Sequence, residues 1–515
     1  MSSGVDLHQG GIVTPTRPIR FIHRGAVQEV TDLAPTTTVL SWLREHARAC
    51  GTKEGCNEGD CGACTVAVAE RQADGQVSLR NLNSCLLFLP ALDGKALFTV
   101  EDLPGLTAPR DSAADGLHPV QRALVDHHGS QCGFCTPGFV MSMWTTHENA
   151  LRQGHTPSRQ EWADALAGNL CRCTGYRPIL DAAQNLQGPA TLDWDALGRQ
   201  LSQLAQDPAL HYAASDEALG TGGTRAFHAP TSSDELAALL QQDPKRRLLG
   251  GATDIGLWVN KQHRDVGDLV ATQSARDLRQ VILDANRLRI GAAVNLEEAW
   301  SALGQEWPSL MDLWRRFASP PVRHAGTLAG NVANGSPIGD APPILMALNA
   351  ELVLRAGDQR RRVRLDEFYL GYQRNALQAG EFIEWIEVPR AGEGQVVKAW
   401  KVSKRYDSDI SAVCAGFGLR FTPAARHEGR LNAVTMAFGG MAATVKRAKA
   451  AEEVLLSTGW SESGIEAACS ALAQDFQPMS DLRASANFRL QAAQALVRRL
   501  WWSLQTDAPQ VEVWR

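Results

Sequence analysis

Gly55-Cys56-Asn57-Glu58-Gly59-Asp60-Cys61-Gly62-Ala63-Cys64 is the stretch that decides how this chain is read. Its cysteines run C-x4-C-x2-C, and Cys85 follows as a distant fourth thiol. That is the plant-type spacing for a [2Fe–2S] cluster, which needs four thiolates because soft sulfur suits iron. Gly55, Gly59 and Gly62 let the backbone wrap closely enough for N–H groups to point at the cluster sulfurs. A second set lies further on: Cys132 and Cys135 as C-x2-C, then Cys171 and Cys173 as C-x-C. Two such sets imply electrons moving singly between fixed centres. Structural zinc also takes four cysteines; the glycines and the spacing argue against it at the first set, and it stays more open at the second. Cys50, Cys414 and Cys469 have no patterned partner and read as small buried apolar residues.

Outward from these motifs, the 515 residues allow three or four domains at roughly 100–200 residues each. With 44% hydrophobic and 21% charged residues the chain suits a core-forming protein, and a net charge of −5 gives no basic surplus for nucleic acid. Apolar runs such as 85–92 fall far short of the roughly 20 residues that span a bilayer, so no membrane association is expected. Residues 1–17 have no apolar stretch after a basic start, so they read as a flexible leader and not a secretory signal. Clustered cysteines without such a signal place the chain in a reducing compartment, the cytoplasm.

The fold class expected is α+β multidomain. Residues 18–104 form a small α+β unit, with strand-like runs at 19–22, 64–68, 77–79 and 96–99 and a helix at 38–49. Residues 105–188 turn helical: Pro119 opens one helix, Thr136-Pro137 caps and starts a second, and the capping box Ser158-Arg159-Gln160-Glu161 precedes a third carrying Trp162, Leu166 and Leu170. A fourth follows Pro178. Residues 189–222 read as a linker ending in Gly220-Thr221-Gly222-Gly223. An α/β region at 223–393 and a strands-then-helices region at 394–515 complete the chain.

The α/β region carries two Gly-rich loops. Leu248-Leu249-Gly250-Gly251-Ala252-Thr253-Asp254-Ile255 follows a strand run, and bare N–H groups there can cradle a pyrophosphate. A tight turn is the other reading. No G-x-G-x-x-G is present, so a Rossmann site is not supported. The second loop, from Phe317 to Asp340 (FASPPVRHAGTLAGNVANGSPIGD), offers a stacking aromatic, more N–H donors and a terminal carboxylate. The charged run 401–410 reads by charge alone as a solvated turn.

CNEGDCGAC at 56–64, QCGFCTPG at 131–138 and NLCRCTGYRPI at 169–179 resemble the two-cluster region of the xanthine dehydrogenase family of molybdenum hydroxylases. Both Gly-rich loops resemble that family's flavin domain, in the right order. The resemblance spans about residues 18–510. It implies a β-grasp ferredoxin domain, a four-helix [2Fe–2S] bundle, an FAD-binding domain of the PCMH/VAO type and a C-terminal α+β domain. It implies that Leu248 to Ile255 hold the FAD diphosphate, that Phe317 faces the isoalloxazine, and that Thr327, Leu328, Ala329, Gly330 and Asn331 form the second phosphate and ribityl loop. Asp340 falls on the adenosine side, Ile383 and Lys401 match later flavin contacts, and Gln131 contacts the pterin of the molybdenum cofactor. The run 401–410 lines the edge where NAD+ enters, with Ser408 where some members have an acid. Because the molybdenum domain would follow residue 515, the resemblance implies a molybdenum-binding large subunit as partner, in a dimer of heterodimers. Purine hydroxylation would occur on that subunit, and electrons would pass through both clusters to FAD and NAD+. A related hydroxylase for another heterocycle or an aldehyde, a stand-alone NADH-oxidising reductase, and a zinc-stabilised scaffold are the alternatives.

Overall fold

Arg24 and Gly25 both take positive φ, 53° and 73°, and close a two-residue hairpin between strands Ile19–His23 and Ala26–Val30. This hairpin starts a computed structural model that describes residues 16–106, 116–215, 223–422 and 431–505. The first sheet has the order Ala26–Val30, Ile19–His23, Ala96–Phe98, Thr65–Arg71, Val77–Asn83. Ile19–His23 runs parallel to Ala96–Phe98. The strand Ala26–Val30 escapes a pattern reading because its side chains are mostly exposed and carry no apolar alternation. The helix expected at 38–49 is shorter: one turn at Val39–Ser41, capped by Thr38, then a π-turn at Trp42–His46. Four of its first five side chains, Val39, Leu40, Trp42 and Leu43, are buried, and the wider turn accommodates them.

The helical domain has helices Pro119–Asp126, Thr136–Arg152, Arg159–Ala165 and Arg177–Gln184. Phe139, Val140, Met143 and Trp144 of the longest are buried, and that helix packs across strand Thr65–Arg71. Its cap position falls on Cys135, not Thr136; the Thr136 hydroxyl instead meets that of Ser130 at 2.8 Å. The Ser158 capping box forms as the sequence predicts, but the helix stops at Ala165, so Leu170 lies beyond it.

The span expected as a linker is largely structured. Helix Trp194–Leu204, capped by Asp193, buries Leu197, Leu201 and Leu204 on one face. Strand Leu210–Ser215 pairs along its whole length with Thr224–Ala229. The remainder, 216–222, lies outside the described residues, as do 1–15 of the expected leader. Arg17 is anchored, with Asp93 at 2.6 Å and the carbonyl of Pro208 at 2.8 Å.

The flavin region holds a sheet ordered Leu210–Ser215, Thr224–Ala229, Leu269–Ala271, Arg247–Leu249, one of five antiparallel strands centred on Phe382–Pro389, and a small hairpin of Tyr369–Gly371 with Arg374–Asn375. The last region is a four-stranded sheet covered by helices Lys449–Thr458, Glu462–Asp475 and Ala486–Ser503. The first sheet and the four-stranded flavin sheet share one core, in which Phe21, Trp42 and Phe88 join Phe227, Leu249 and Leu269. A charge cluster also ties the first domain to the turn after Arg276–Leu278 in the flavin region. Glu70, 7% exposed, meets Arg279, Lys95 and Arg80 at 3.1–3.2 Å. Burial alone would raise the Glu70 carboxyl, but the three cations outweigh it and hold it well below the usual range. Among the described residues no helix is long and apolar enough to cross a membrane.

Candidate electron-transfer and flavin site

Asn57, Gly59 and Gly62 all take positive φ (54°, 80° and 70°), which curls the first cysteine loop around the Cys56 sulfur. That sulfur accepts N–H groups from Glu58, Asp60 and Cys61 at 3.3–3.4 Å. The Cys61 sulfur accepts the amide of Cys56 at 3.3 Å. A side chain at Gly62 would come within 2.1 Å of the carbonyl of Gly168, so the helical domain can close on this loop only over a glycine. The thiols meet in pairs, Cys56 with Cys61 and Cys64 with Cys85. The hydrogen bond shared with Cys61, helped by the backbone donors, pulls the Cys56 thiol down to about 5. Cys61 and Cys85 are pushed up, each keeping the proton of its pair. Two thiols per metal and a ring of N–H donors on sulfur fit a binuclear iron–sulfur cluster. Among the described residues no three His, Cys, Asp or Glu side chains converge on a point that would hold a lone ion.

The second set pairs Cys132 with Cys173 and Cys135 with Cys171. Burial, then the neighbouring Cys171, pushes Cys135 up to about 12. Burial opposes ionisation at Cys171 too, but the Thr174 hydroxyl at 3.2 Å and amide at 3.5 Å outweigh it and hold that thiol below its ordinary value. Cys132 and Cys173 are exposed, as is Gln131. Phe134 and Tyr176, 46% and 40% exposed, flank them. Of the three unpatterned cysteines, Cys414 and Cys469 are buried as expected, whereas Cys50 is exposed, one residue past the buried Ala49.

The sets are joined to each other and to the flavin region. The amide of Leu170, next to Cys171, donates to the carbonyl of Cys61 at 3.0 Å. Helix Ile255–Asn260, which begins where the first Gly-rich loop ends, reaches the first set: Asn260 donates to the Cys85 carbonyl at 2.7 Å, and Lys261 to that of Cys56 at 2.5 Å.

The two Gly-rich loops lie side by side. Thr327 N–H donates to the Gly250 carbonyl at 3.1 Å, and the Thr327 hydroxyl caps Gly330 at 3.0 Å. Gly251, at φ 109°, passes so close to Ala325 that a Cβ would lie 1.9 Å from its carbonyl oxygen. Between the loops is a cavity of about 440 Å³. Leu248, Gly250, Ala252, Thr253, Asp254, Ile255, Thr327, Ala329, Gly330, Asn331 and Ile383 line it. Leu249 and Leu328 turn into the core instead. The Asn331 Oδ1 is buried and has no partner among the described residues, an acceptor open to a donor. This cradle fits a dinucleotide cofactor. Burial pushes the Asp254 carboxyl up, while Asn334 hydrogen-bonds it. The cavity also takes Lys245, Arg246 and Arg247 at one rim and 377–382 on its far wall, neither found from sequence. The three-cation run was the one signal available for the former.

Phe317, Asp340 and Lys401 line no part of that cavity and form a second group. Lys401 donates to Asp340 at 2.7 Å and to the carbonyl of Arg316 at 3.3 Å, and Ser411 donates to Asp340 at 2.6 Å. Asp340, expected on the adenosine side, therefore stands with Phe317, because a buried lysine needs its charge. Phe317 is 6% exposed and packs on Trp300 at 5.4 Å. The run 401–410 is no free turn: Ser408 reaches the carbonyl of Ala167 at 3.3 Å, the Tyr406 carbonyl accepts from Arg316 at 2.9 Å, and Asp60 of the first cysteine loop faces Arg405 and Asp409. Cluster loop, helical domain, flavin region and C-terminal region all meet there.

Four family models match in this order: a 2Fe-2S iron-sulfur cluster binding domain at 22–89, a [2Fe-2S] binding domain at 100–184, the FAD binding domain in molybdopterin dehydrogenase at 222–391, and the CO dehydrogenase flavoprotein C-terminal domain at 398–504. In domain content and order the chain matches the iron–sulfur and FAD region of the molybdenum hydroxylase family. Xanthine dehydrogenase of Emericella nidulans is 31% identical over 512 residues, 89% of this chain and 36% of that protein. Xanthine dehydrogenase/oxidase of Rattus norvegicus is 31% identical over 492 residues, 87% and 36% respectively. The chain thus spans about a third of the length of these relatives. Among solved structures, a chain of carbon monoxide dehydrogenase from Hydrogenophaga pseudoflava, in a form that lacks the Mo-pyranopterin moiety, is 27% identical with TM-score 0.50; the match covers 54% of this chain and 97% of that one.

Proposed function

We propose that this chain is the electron-transfer and flavin subunit of a cytoplasmic xanthine dehydrogenase, with domains at 18–104, 105–188, 223–393 and 394–515. Its partner is a molybdenum-binding chain that hydroxylates hypoxanthine or xanthine, and its acceptor is NAD+. When bound, two [2Fe–2S] clusters supply one-electron carriers and FAD supplies the switch to two-electron chemistry. Cys132, Cys135, Cys171 and Cys173 hold the outer cluster, and Cys56, Cys61, Cys64 and Cys85 the inner one. Leu248 to Ile255 and Thr327 to Asn331 hold the FAD phosphates and ribityl chain, with Ile383 on the cavity wall. Phe317, with the Asp340–Lys401 pair behind it, bounds the isoalloxazine end. Gln131 reaches toward the partner's pterin. One observation carries the reading: the Leu170–Cys61 and Asn260–Cys85 hydrogen bonds order the parts as outer set, inner set, flavin loop.

The test is to co-express the chain with a molybdenum-binding chain and measure NADH formation. Xanthine-dependent NADH formation that Cys173→Ser abolishes is the expected result. Turnover of only an aldehyde or another heterocycle would overturn the substrate, and reduction of oxygen alone would overturn the acceptor.

A further inference from the structure

His324 sits in the last turn of the short helix Pro320–Ala325, within the second Gly-rich segment. Its Nδ1 meets both the backbone oxygen and the side-chain oxygen of Asn81, at 3.1 and 2.8 Å. Two acceptors on one nitrogen make Nδ1 the donor. From there the hydrogen bonds run one way. Asn81 Nδ2 donates to the Ser142 hydroxyl at 3.2 Å, which donates to Asn169 Oδ1 at 2.7 Å. Asn169 Nδ2 donates to the Gly62 carbonyl at 3.0 Å and to the Thr65 hydroxyl at 3.2 Å. Asn81, Ser142 and Asn169 are each at most 3% exposed.

The chain crosses three domains. It starts on the second Gly-rich loop, passes through a strand of the first domain and the long helix of the second, and ends between Cys61 and Cys64. Asn169 also stands two residues before Cys171. Amide side chains do not relay protons and the last acceptor is a peptide carbonyl, so this is no proton path. Buried amides left without partners are costly, and each group here is satisfied only when all three domains dock in one register. We infer that this hydrogen-bond chain sets the spacing between the two cysteine sets and the flavin loop, with Ser142 and Asn169 as positioning residues. The inference rests on the proposal that those sites hold two clusters and FAD.

The test compares the full iron- and FAD-loaded chain with Ser142→Ala, which cuts the series at its middle and touches no cofactor site. Two readouts are taken: the magnetic interaction between the two clusters in the electron paramagnetic resonance spectrum after dithionite reduction, and the rate at which NADH reduces the outer cluster. The expected result is full iron and FAD content and unchanged flavin reduction. The interaction splitting shrinks, and outer-cluster reduction slows by up to roughly a hundredfold, the scale on which a misplacement of about 1 Å acts. Mere destabilisation would move the melting point and leave both readouts alone. An unchanged splitting and rate in a folded, loaded variant would overturn the inference. Failure of the underlying proposal is distinguishable, because the unsubstituted chain would then lack two reducible clusters. Should Ser142→Ala not fold, His324→Phe cuts the chain at its half-buried end, and His324→Gln, which keeps an N–H donor, restores both readouts.

Discussion

The two cysteine sets use the same ligands in opposite settings. Cys64 and Cys85 are 2% and 1% exposed and sit in a small core with Leu40 and Leu86, whereas Cys132 and Cys173 are open to solvent beside the exposed Phe134 and Tyr176. An inner site with Cys64 and Cys85 buried, Cys56 and Cys61 half-buried, and a tie to the flavin helix suits a relay between two neighbours. An outer site with an apolar rim suits a port that a second chain covers. The contrast separates what this chain does alone from what it does with a partner.

The contrast is broken most directly at the cysteines. Cys85→Ser and Cys173→Ser should each halve the iron content, but only the inner change should lower the melting midpoint strongly, by roughly 10 °C, because that cluster is part of a core. Equal losses of stability would mean that the two sites are buried alike. Next in size, Glu70→Gln should cost about 3–5 kcal/mol in denaturant unfolding, since it leaves Arg279, Lys95 and Arg80 facing one another behind the inner domain. A cost under about 1 kcal/mol would show that the clamp is not what holds the first domain to the flavin region.

Gly251→Ala should empty the FAD site while leaving both clusters in place, because its φ of 109° and the Ala325 carbonyl leave no room for Cβ. Flavin fluorescence released on gel filtration would report it. The pH response should be smaller. Burial holds His118, His228 and His324 down to about 4 from the ordinary 6.5. Between those values the unfolded chain takes up protons that the folded chain refuses, so stability should fall as pH drops from 6.5 toward 4. Glu70 works at a lower pH: its depressed carboxyl contributes in full above 4.5 and is lost only as pH falls well below that. Glu70→Gln should therefore flatten the profile below 4.5 and leave the histidine limb intact. Smallest in stability is Phe134→Ser at the outer rim, within about 0.5 kcal/mol by melting. It should nevertheless weaken capture of a molybdenum-binding chain by tenfold or more in a titration.

How much of this was legible depends on how local the cause is. Both cysteine sets and the Gly-rich loops could be read because each is a continuous stretch whose residue types follow from one ligand. The Ser158 capping box was legible for the same reason. The Trp194–Leu204 helix had a readable 197/201/204 stripe, but neighbouring Gly and Pro residues masked it. The Asp340–Lys401 pair, the Glu70 clamp and the His324–Asn81–Ser142–Asn169 series join residues from 10 to 243 positions apart, and no spacing rule anticipates them. Asp340 shows the consequence, since its place was set by a lysine that lies 61 positions away and needed a counter-charge.

We propose that both cysteine sets and the flavin loop form one connected electron path within this chain. An anaerobic titration of the purified chain with NADH, followed by visible absorption, tests it most directly. Bleaching at both flavin and iron–sulfur bands, with all centres reduced by NADH alone, is the predicted result. Flavin bleaching with either cluster left oxidised under every excess of NADH would contradict the path, and a colourless zinc-containing protein would contradict the centres themselves.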